Sequence, residues 1–320
     1  MKRAIALLLL VWMTLSHDPA LAQDYPSRPI RVLIPFPPGG GSDIASRTIL
    51  ELVARQTDLQ FVAENRAGAG GNIAFTAAAA AAPDGYTLLF ATPGLAINPS
   101  LYRSAGFTRE DFTPIALVAE APLVLMVRPS LAARSVQDLV TLSRAAPDAI
   151  KFGSAGNGSS SHLATEVLKS MTDLQVLHVP YKSSIAAMSD VVAGRIDMTV
   201  QPLSESIPFV RDGRMRALAL TGSKRSPALP EVPTMQEQGV AGYSVATWYM
   251  LVGPAHLPAP IVARLHDGFA KVLAMPSTRE TLADKGIGVI NDGPEQARTY
   301  LDQQTKRWAA IIQQSAITVD

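Results

Sequence analysis

Three loops in this chain are composed to meet something small and negatively charged. The first runs Ile34-Pro35-Phe36-Pro37-Pro38-Gly39-Gly40-Gly41-Ser42-Asp43 and the second Glu64-Asn65-Arg66-Ala67-Gly68-Ala69-Gly70-Gly71-Asn72. The third is Phe152-Gly153-Ser154-Ala155-Gly156-Asn157-Gly158-Ser159-Ser160-Ser161-His162. Each joins an apolar run to an amphipathic one, in the order strand, loop, helix. Such a loop frees backbone N–H groups at a helix N-terminus, where the macrodipole adds partial positive charge. Glycine lets a ligand approach the backbone, and serine hydroxyls add donors. With few Lys or Arg inside them, the loops point to a small anion held by neutral donors. Ordinary βα turns use the same residues, and on spacing alone that reading stays open.

Other chemistries lack their residues. Gly39-x-Gly41, Gly68-x-Gly70 and Gly156-x-Gly158 each miss the third glycine of a dinucleotide fingerprint, and no Gly-Lys-Ser/Thr marks a P-loop. G-x-S-x-G and H-E-x-x-H are both absent. With no Cys, a disulfide scaffold, a thiolate zinc site and a cysteine nucleophile are excluded. His162, His178, His256 and His266 contain no pair at metal-ligand spacing, so neither metal nor cofactor is expected. His162 opens a helix straight after the serine run and is a candidate for touching or supporting a ligand. A nucleophile among Ser159, Ser160 and Ser161, served by a distant His and Asp, remains the rival reading without a motif behind it.

The elements that carry these loops alternate throughout, which is the pattern of an α/β protein. Strands are predicted at Arg31–Pro35, Gln60–Ala63 and Tyr86–Ala91, with helices at Ile44–Arg55 and Asn72–Ala82. Ile115–Val118 and Leu123–Val127 are two further apolar runs. Ser135 and Asp138 form a capping box for a helix through Arg144. A second α/β set follows, with strands at Ile150–Phe152, Gln175–Val179, Ile196–Val200 and Arg216–Thr221. Helices beginning near Pro260, Pro276 and Pro294 close the chain, each with proline as a starter.

The chain has 320 residues, 48% apolar and 17% charged, enough for two domains and poorly suited to disorder or coiled coil. A formal charge of +1 gives no broad reason to bind nucleic acid or an anionic membrane. Lys2 and Arg3, the apolar run Ala4–Leu15 and Ala20-Leu21-Ala22 compose a secretory signal peptide, with cleavage expected after Ala22. The mature chain is expected in the periplasm.

A further set of residues is less generic. Pro35 to Gly40 with Asp43 and Arg47, Glu64 to Gly71, Pro83-Asp84-Gly85-Tyr86-Thr87-Leu88, Gly153 to Gly158 with His162, and His178-Val179-Pro180-Tyr181-Lys182 occur in order. Arg216-Ala217-Leu218-Ala219, Leu229-Pro230-Glu231-Val232-Pro233-Thr234 and Trp248 complete the set. Together they resemble the Bug family (Bordetella uptake gene products), extracytoplasmic solute receptors of tripartite tricarboxylate transporters. Ser183, Met250 and His256-Leu257 depart from the family pattern outside the three loops.

The resemblance implies a two-domain, Venus-flytrap periplasmic-binding-protein fold with a ligand cleft between domains. Domain 1 would comprise residues 23–124 and 250–320, and domain 2 residues 125–249. It implies a monomeric, non-enzymatic receptor for a small carboxylate, working with the integral membrane subunits of a transporter; a sensor feeding a two-component system is the alternative role. Carried onto this chain, domain 1 would offer Pro37, Gly39, Gly40, Gly41, Ser42 and Asp43, then Gly70, Gly71 and Asn72, and Thr92. Domain 2 would offer Ser154, Asn157, Ser159, Ser160, His162, Tyr181 and Asp197. Asp43 also reads as a first-turn helix anion. Asp197 reads equally as an acceptor for a ligand N–H or as a helix cap. Tyr181 suits a cleft wall, Trp248 suits packing between domains, and Arg66 and Lys182 suit structural or solvated pairing.

Overall fold

A computed structural model describes residues 25–314; the signal-peptide segment and its cleavage point lie outside the described residues. The first half runs β1 (Ile30–Ile34), α1 (Gly41–Gln56), β2 (Phe61–Asn65), α2 (Asn72–Ala79), β3 (Thr87–Ala91), α3 (Gly94–Leu101) and β4 (Phe112–Val127). The second half runs α4 (Val136–Ala145), β5 (Lys151–Ser154), α5 (Ser160–Thr172), β6 (Leu177–Pro180), α6 (Ser184–Val192), β7 (Met198–Pro202), α7 (Leu203–Arg211) and β8 (Arg216–Leu220). The chain returns through β9 (Ala246–Pro254) to α8 (Ala259–Leu273), α9 (Pro276–Asp284), β10 (Gly288–Asp292) and α10 (Pro294–Gln314).

The molecule is two half-sheets threaded by one strand. β4 is 16 residues long, about 50 Å of extended chain. Its residues 112–122 pair antiparallel with β9, placing them in the sheet β2-β1-β3-β9-β4 with β10 on the far side. Beyond Pro122, residues 123–127 pair antiparallel with β7 on one side and β8 on the other, in the sheet of β5 and β6. Proline cannot donate to a ladder, so Pro122 is a natural place for partners to change. The sequence suggested two separate runs here. They fuse because Ala119 and Ala121, buried but weakly apolar, continue the strand past the exposed Glu120.

β1, β2 and β3 are mutually parallel through β1, as are β5, β6 and β7 through β5. Helices therefore begin at the carboxyl ends of these strands, on the edge where α/β sheets bind ligands. α1 starts at Gly41, three residues ahead of the predicted Ile44, and this brings Gly41 and Ser42 into its first turn. α3 was not anticipated, because Pro99 lies inside it and proline argues against a helix interior. α4 has the expected capping box, Ser135 accepting from the Asp138 N–H. Trp248 is buried at the crossover and meets Tyr300 of α10 edge to face, with ring centroids 5.9 Å apart.

Candidate functional site

The N-termini of four helices converge on one inner chamber. Its walls include Gly40, Gly41 and Ser42 from the start of α1 and Ser159, Ser160 and Ser161 from the start of α5. Ser184 comes from the first residue of α6, and Pro202 and Glu205 from the first turn of α7. Thr92, just ahead of α3, and Thr247 of β9 close the remaining sides, with Phe36, Pro37, Ala155 and Gln201. No Lys, Arg or His lies on this wall. Four sets of first-turn N–H groups without intrahelical acceptors make the chamber electropositive without a cation.

The wall is also rich in unused hydrogen-bonding capacity. Ser42 Oγ, Thr92 Oγ1, Gln201 Oε1, Glu205 Oε1 and Thr247 Oγ1 are all buried and all lack a partner within the protein. Buried polar atoms are normally satisfied, so five such atoms on one small wall mark a place for a polar ligand or water. The orientation of Gln201 follows from its neighbour. Thr199 Oγ1 gives its hydrogen to Gly153 O at 2.7 Å, so it can only accept from Gln201 Nε2 at 2.7 Å, and Gln201 Oε1 is left facing away from Thr199. The chamber holds about 40 Å³, room for a carboxylate-sized group or a few waters. It adjoins an outer chamber of about 490 Å³ that shares Phe36, Pro37 and Ala155 and adds Gly70, Gly71, Asn157, Tyr181 and Lys182.

The two lobes touch at several points around these chambers. Gly41 N–H donates across to Glu205 Oε2 at 2.9 Å, and Tyr102 OH donates to Asn157 O at 2.9 Å. A Cβ at Gly41 would sit 2.7 Å from Pro202 Cβ. One at Gly70, which has a φ of +63°, would sit 2.5 Å from Asn157 O. Glycine is needed at both because the facing lobe occupies the space a side chain would fill.

Many residues expected to touch a ligand instead hold the loops in shape. Asp43 turns away from the chamber and accepts from Gly39 N–H at 3.0 Å, Arg47 Nε at 2.7 Å and Asn65 Nδ2 at 2.8 Å. Burial pushes its carboxyl up, but those donors outweigh it and hold it below the usual carboxylate range. Asn65 also donates to Phe36 O at 2.9 Å, tying the first loop to the end of β2. Arg66 pairs with Glu64 at 2.6 Å. Asn72 accepts from Asn98 Nδ2 at 2.6 Å and fixes the second loop against α3.

The third loop has its own internal scaffold. Ser159 caps α5, accepting from His162 N–H at 3.3 Å while donating to Gly156 O at 2.6 Å. Ser161 Oγ accepts from Ala155 N–H at 2.9 Å. His162 is buried behind the loop, its Nδ1 accepting from Gly158 N–H at 3.3 Å and its ring stacked on His178 at 4.3 Å. His178 Nε2 bonds Ser154 Oγ at 2.7 Å, and Ser154 Oγ accepts from Gly156 N–H at 3.1 Å. Neither Ser154 nor either histidine reaches the chamber wall, so this Ser–His pair sets the loop and activates no nucleophile there.

One expectation fails outright. Asp197 is nowhere near the chambers; it lies just ahead of β7, at the opposite end of the strand from Gln201. There it accepts from Arg128 Nε at 2.7 Å and Lys151 N–H at 2.9 Å, because the turn from Gly194 leads into the strand and not out of it. Tyr181 does wall the outer chamber, but its hydroxyl donates to Asp190 at 2.7 Å, so only its ring is available there. Sequence reasoning missed Ser184, Gln201, Glu205 and Thr247. A usable signal was present in Gln201-Pro202 and Ser183-Ser184, which also end strands before helices, but without the glycines that drew attention to the other loops. Among the described residues no group of three His, Asp or Glu could hold a metal ion.

The histidine pair generates a pH prediction. Burial, followed by the charge of His178 and then of Lys169, pushes His162 down to about 3; burial and Lys169 push His178 down to about 4. Both stay neutral in the folded protein while the unfolded chain takes up protons near pH 6.5. Stability is therefore expected to be full above pH 7 and to fall as pH drops from 6.5 towards 4. His162 should cost about 2 kcal/mol at pH 5, and the partly exposed His178 less. Urea unfolding at pH 7.5 and 5.0 checks this, and His178→Phe should shrink the difference between the two.

Residues 45–317 match the family model described as tripartite tricarboxylate transporter family receptor. Protein BugT of Bordetella pertussis is 32% identical over 300 residues, covering 93% of this chain and 92% of BugT. Rpa4515 of R. palustris, solved with adipate, superposes with a TM-score of 0.88 at 34% identity, covering 92% of this chain and 99% of that one. MatC (Rpa3494) of Rhodopseudomonas palustris, solved with bound malate, gives a TM-score of 0.84 at 29% identity over 90% of this chain and all of the other. These are solute receptors and not enzymes, and the serine-hydrolase reading finds no support among them. Fold, loops and relatives agree that the chain belongs to the tripartite tricarboxylate transporter family receptors, the Bug solute-binding proteins.

Proposed function

We propose that this receptor captures a small carboxylate with one carboxylate group in the inner chamber and the rest of the molecule in the outer one. The observation that carries the reading is a wall that joins four converging helix N-termini to the buried, unpartnered hydroxyls of Ser42, Thr92 and Thr247, without a cation. Relatives solved with adipate and malate support the same ligand class. Neutral donors satisfy an anion without a buried full ion pair, whose desolvation is costly. Thr92 and Ser42 would grip from one domain, residues 23–124 and 250–320, and Ser160 from the other, residues 125–249, where the Ser184 hydroxyl is already given to Glu205. Closure then follows from the ligand's higher affinity for the closed form. The closed receptor would present itself in the periplasm to the integral membrane subunits of a tripartite transporter. The apolar N-terminal segment with its Ala20-Leu21-Ala22 end supports that location, and no helix among the described residues is long and apolar enough to cross a membrane.

A thermal-shift screen of protein unfolded and refolded to strip any bound ligand, against a panel of mono-, di- and tricarboxylates, tests the reading. A saturable rise for one chemical class is expected, following mass action; no rise with any carboxylate would contradict it. Ser42→Ala and Thr92→Ala should each weaken binding of that class by about 1–3 kcal/mol. Because these hydroxyls have no partner within the protein, the same changes should leave ligand-free stability level or slightly higher. Gly41→Ala separates closure from contact. The added methyl favours α1 as a helix but meets Pro202 of the other lobe. Affinity is expected to fall at least about tenfold, with no loss in the melting temperature of the free protein.

A further inference from the structure

Glu205 is the one charged side chain on the inner wall, and it is buried. Its two oxygens are not equivalent. Oε2 accepts from Gly41 N–H at 2.9 Å and from Ser184 Oγ at 2.6 Å, so it is already occupied by one donor from each lobe. Oε1 is buried, without a partner, on a residue that lines the chamber. Any proton the carboxyl carries therefore belongs on Oε1. The chamber has room for little more than the carboxylate group that its hydroxyls and helix N-termini favour. Two ionised carboxylates cannot share so small a space, and a shared proton is the ordinary resolution of such a pair.

Resting on the carboxylate reading above, we propose that Glu205 is a specificity-determining residue that is protonated in the complex, donates its Oε1–H to the ligand's inner carboxylate, and so makes capture take up one proton wherever its carboxyl is ionised in the free receptor. The proton comes from solvent on binding and returns to it on release. The surroundings permit this. Burial raises the Glu205 carboxyl to about 7 even against the lowering effect of the Ser184 and Gly41 hydrogen bonds, and no basic side chain enters that balance. From β9 it faces the Tyr249 phenol, which burial and Glu205 itself keep protonated. From the start of α1 come Asp43 and Arg47, which pair with each other at 2.7 Å, the Asp43 carboxylate also accepting from Gly39 and Asn65. β7 presents Gln201, α6 presents Ser184, and β4 packs apolar Val124 and Met126 beside Leu203 and Ile207 of α7.

Calorimetric titration of the whole mature chain with adipate and with malate, from pH 6.0 to 9.0, tests the proposal. Above pH 7.5 the dissociation constant should rise about tenfold per pH unit. Above pH 7.5, titrations in phosphate and in Tris should differ by the heat of about one proton taken up per ligand, and the difference should fade towards pH 6.0. Glu205→Gln replaces Oε1–H with a permanent amide donor, and its affinity should match the low-pH affinity of the native chain at every pH, with no proton uptake. Binding that is independent of pH and moves no proton would overturn the proposal while leaving the carboxylate reading intact. So would a Glu205→Gln chain that melts normally yet loses the ligand at every pH, since Glu205 would then be accepting a hydrogen bond from the ligand. Absence of binding by these and all other panel carboxylates at every pH would overturn both.

Discussion

The arrangement depends on four helices aiming their N-termini at one point. A buried anion needs compensation, and in the proposed site it would come from backbone dipoles and hydroxyls held rigid by secondary structure, not from mobile cations. The two parallel half-sheets make this possible, because α1, α5, α6 and α7 each start at or near a strand's carboxyl end and so on the same edge. Everything else at the site serves that convergence. Asp43, Asn65, Arg47 and Asn98 fix the loops of one lobe, while His162, His178, Ser154 and Ser161 fix the loop of the other. Those hydrogen bonds are spent on the loops, while the wall hydroxyls of Ser42, Thr92 and Thr247 remain without a partner in the protein.

The same geometry couples binding to shape. Residues on both sides of the β4 crossover line the inner chamber, and neither side alone encloses it. Gly41 illustrates the economy of the contact. Its N–H reaches Glu205 on the other lobe, and its missing side chain is what lets Pro202 approach. A receptor built this way reads its ligand twice, once by the charge each helix end favours and once by whether the lobes can meet around it.

The α/β class, the loop positions and most helix starts were legible, because glycine, proline and capping residues act locally and mark their own boundaries. The first and third loops do supply chamber walls, through Gly40 to Ser42 and Ser159 to Ser161. What stayed hidden depends on tertiary direction. Asp197, just ahead of β7, and Gln201, within it, lie four residues apart, and only the pairing of β7 with β4 and β5 decides which end faces the cleft. Glu205 was hidden for another reason. A glutamate in the first turn of a helix is so common as a dipole partner or cap that nothing in its spacing distinguishes a wall residue. Likewise Thr247 is one residue in an apolar strand, and its role exists only because β9 passes between the lobes.

The most direct test of the account is the crystal structure of the refolded chain with the dicarboxylate that raises its melting temperature most. One ligand carboxylate is expected in the inner chamber, within hydrogen-bond distance of Ser42, Thr92 and Thr247, with the remainder of the molecule in the outer chamber beside Tyr181. A ligand held wholly in the outer chamber, or one whose inner carboxylate is paired with a lysine or arginine, would contradict it.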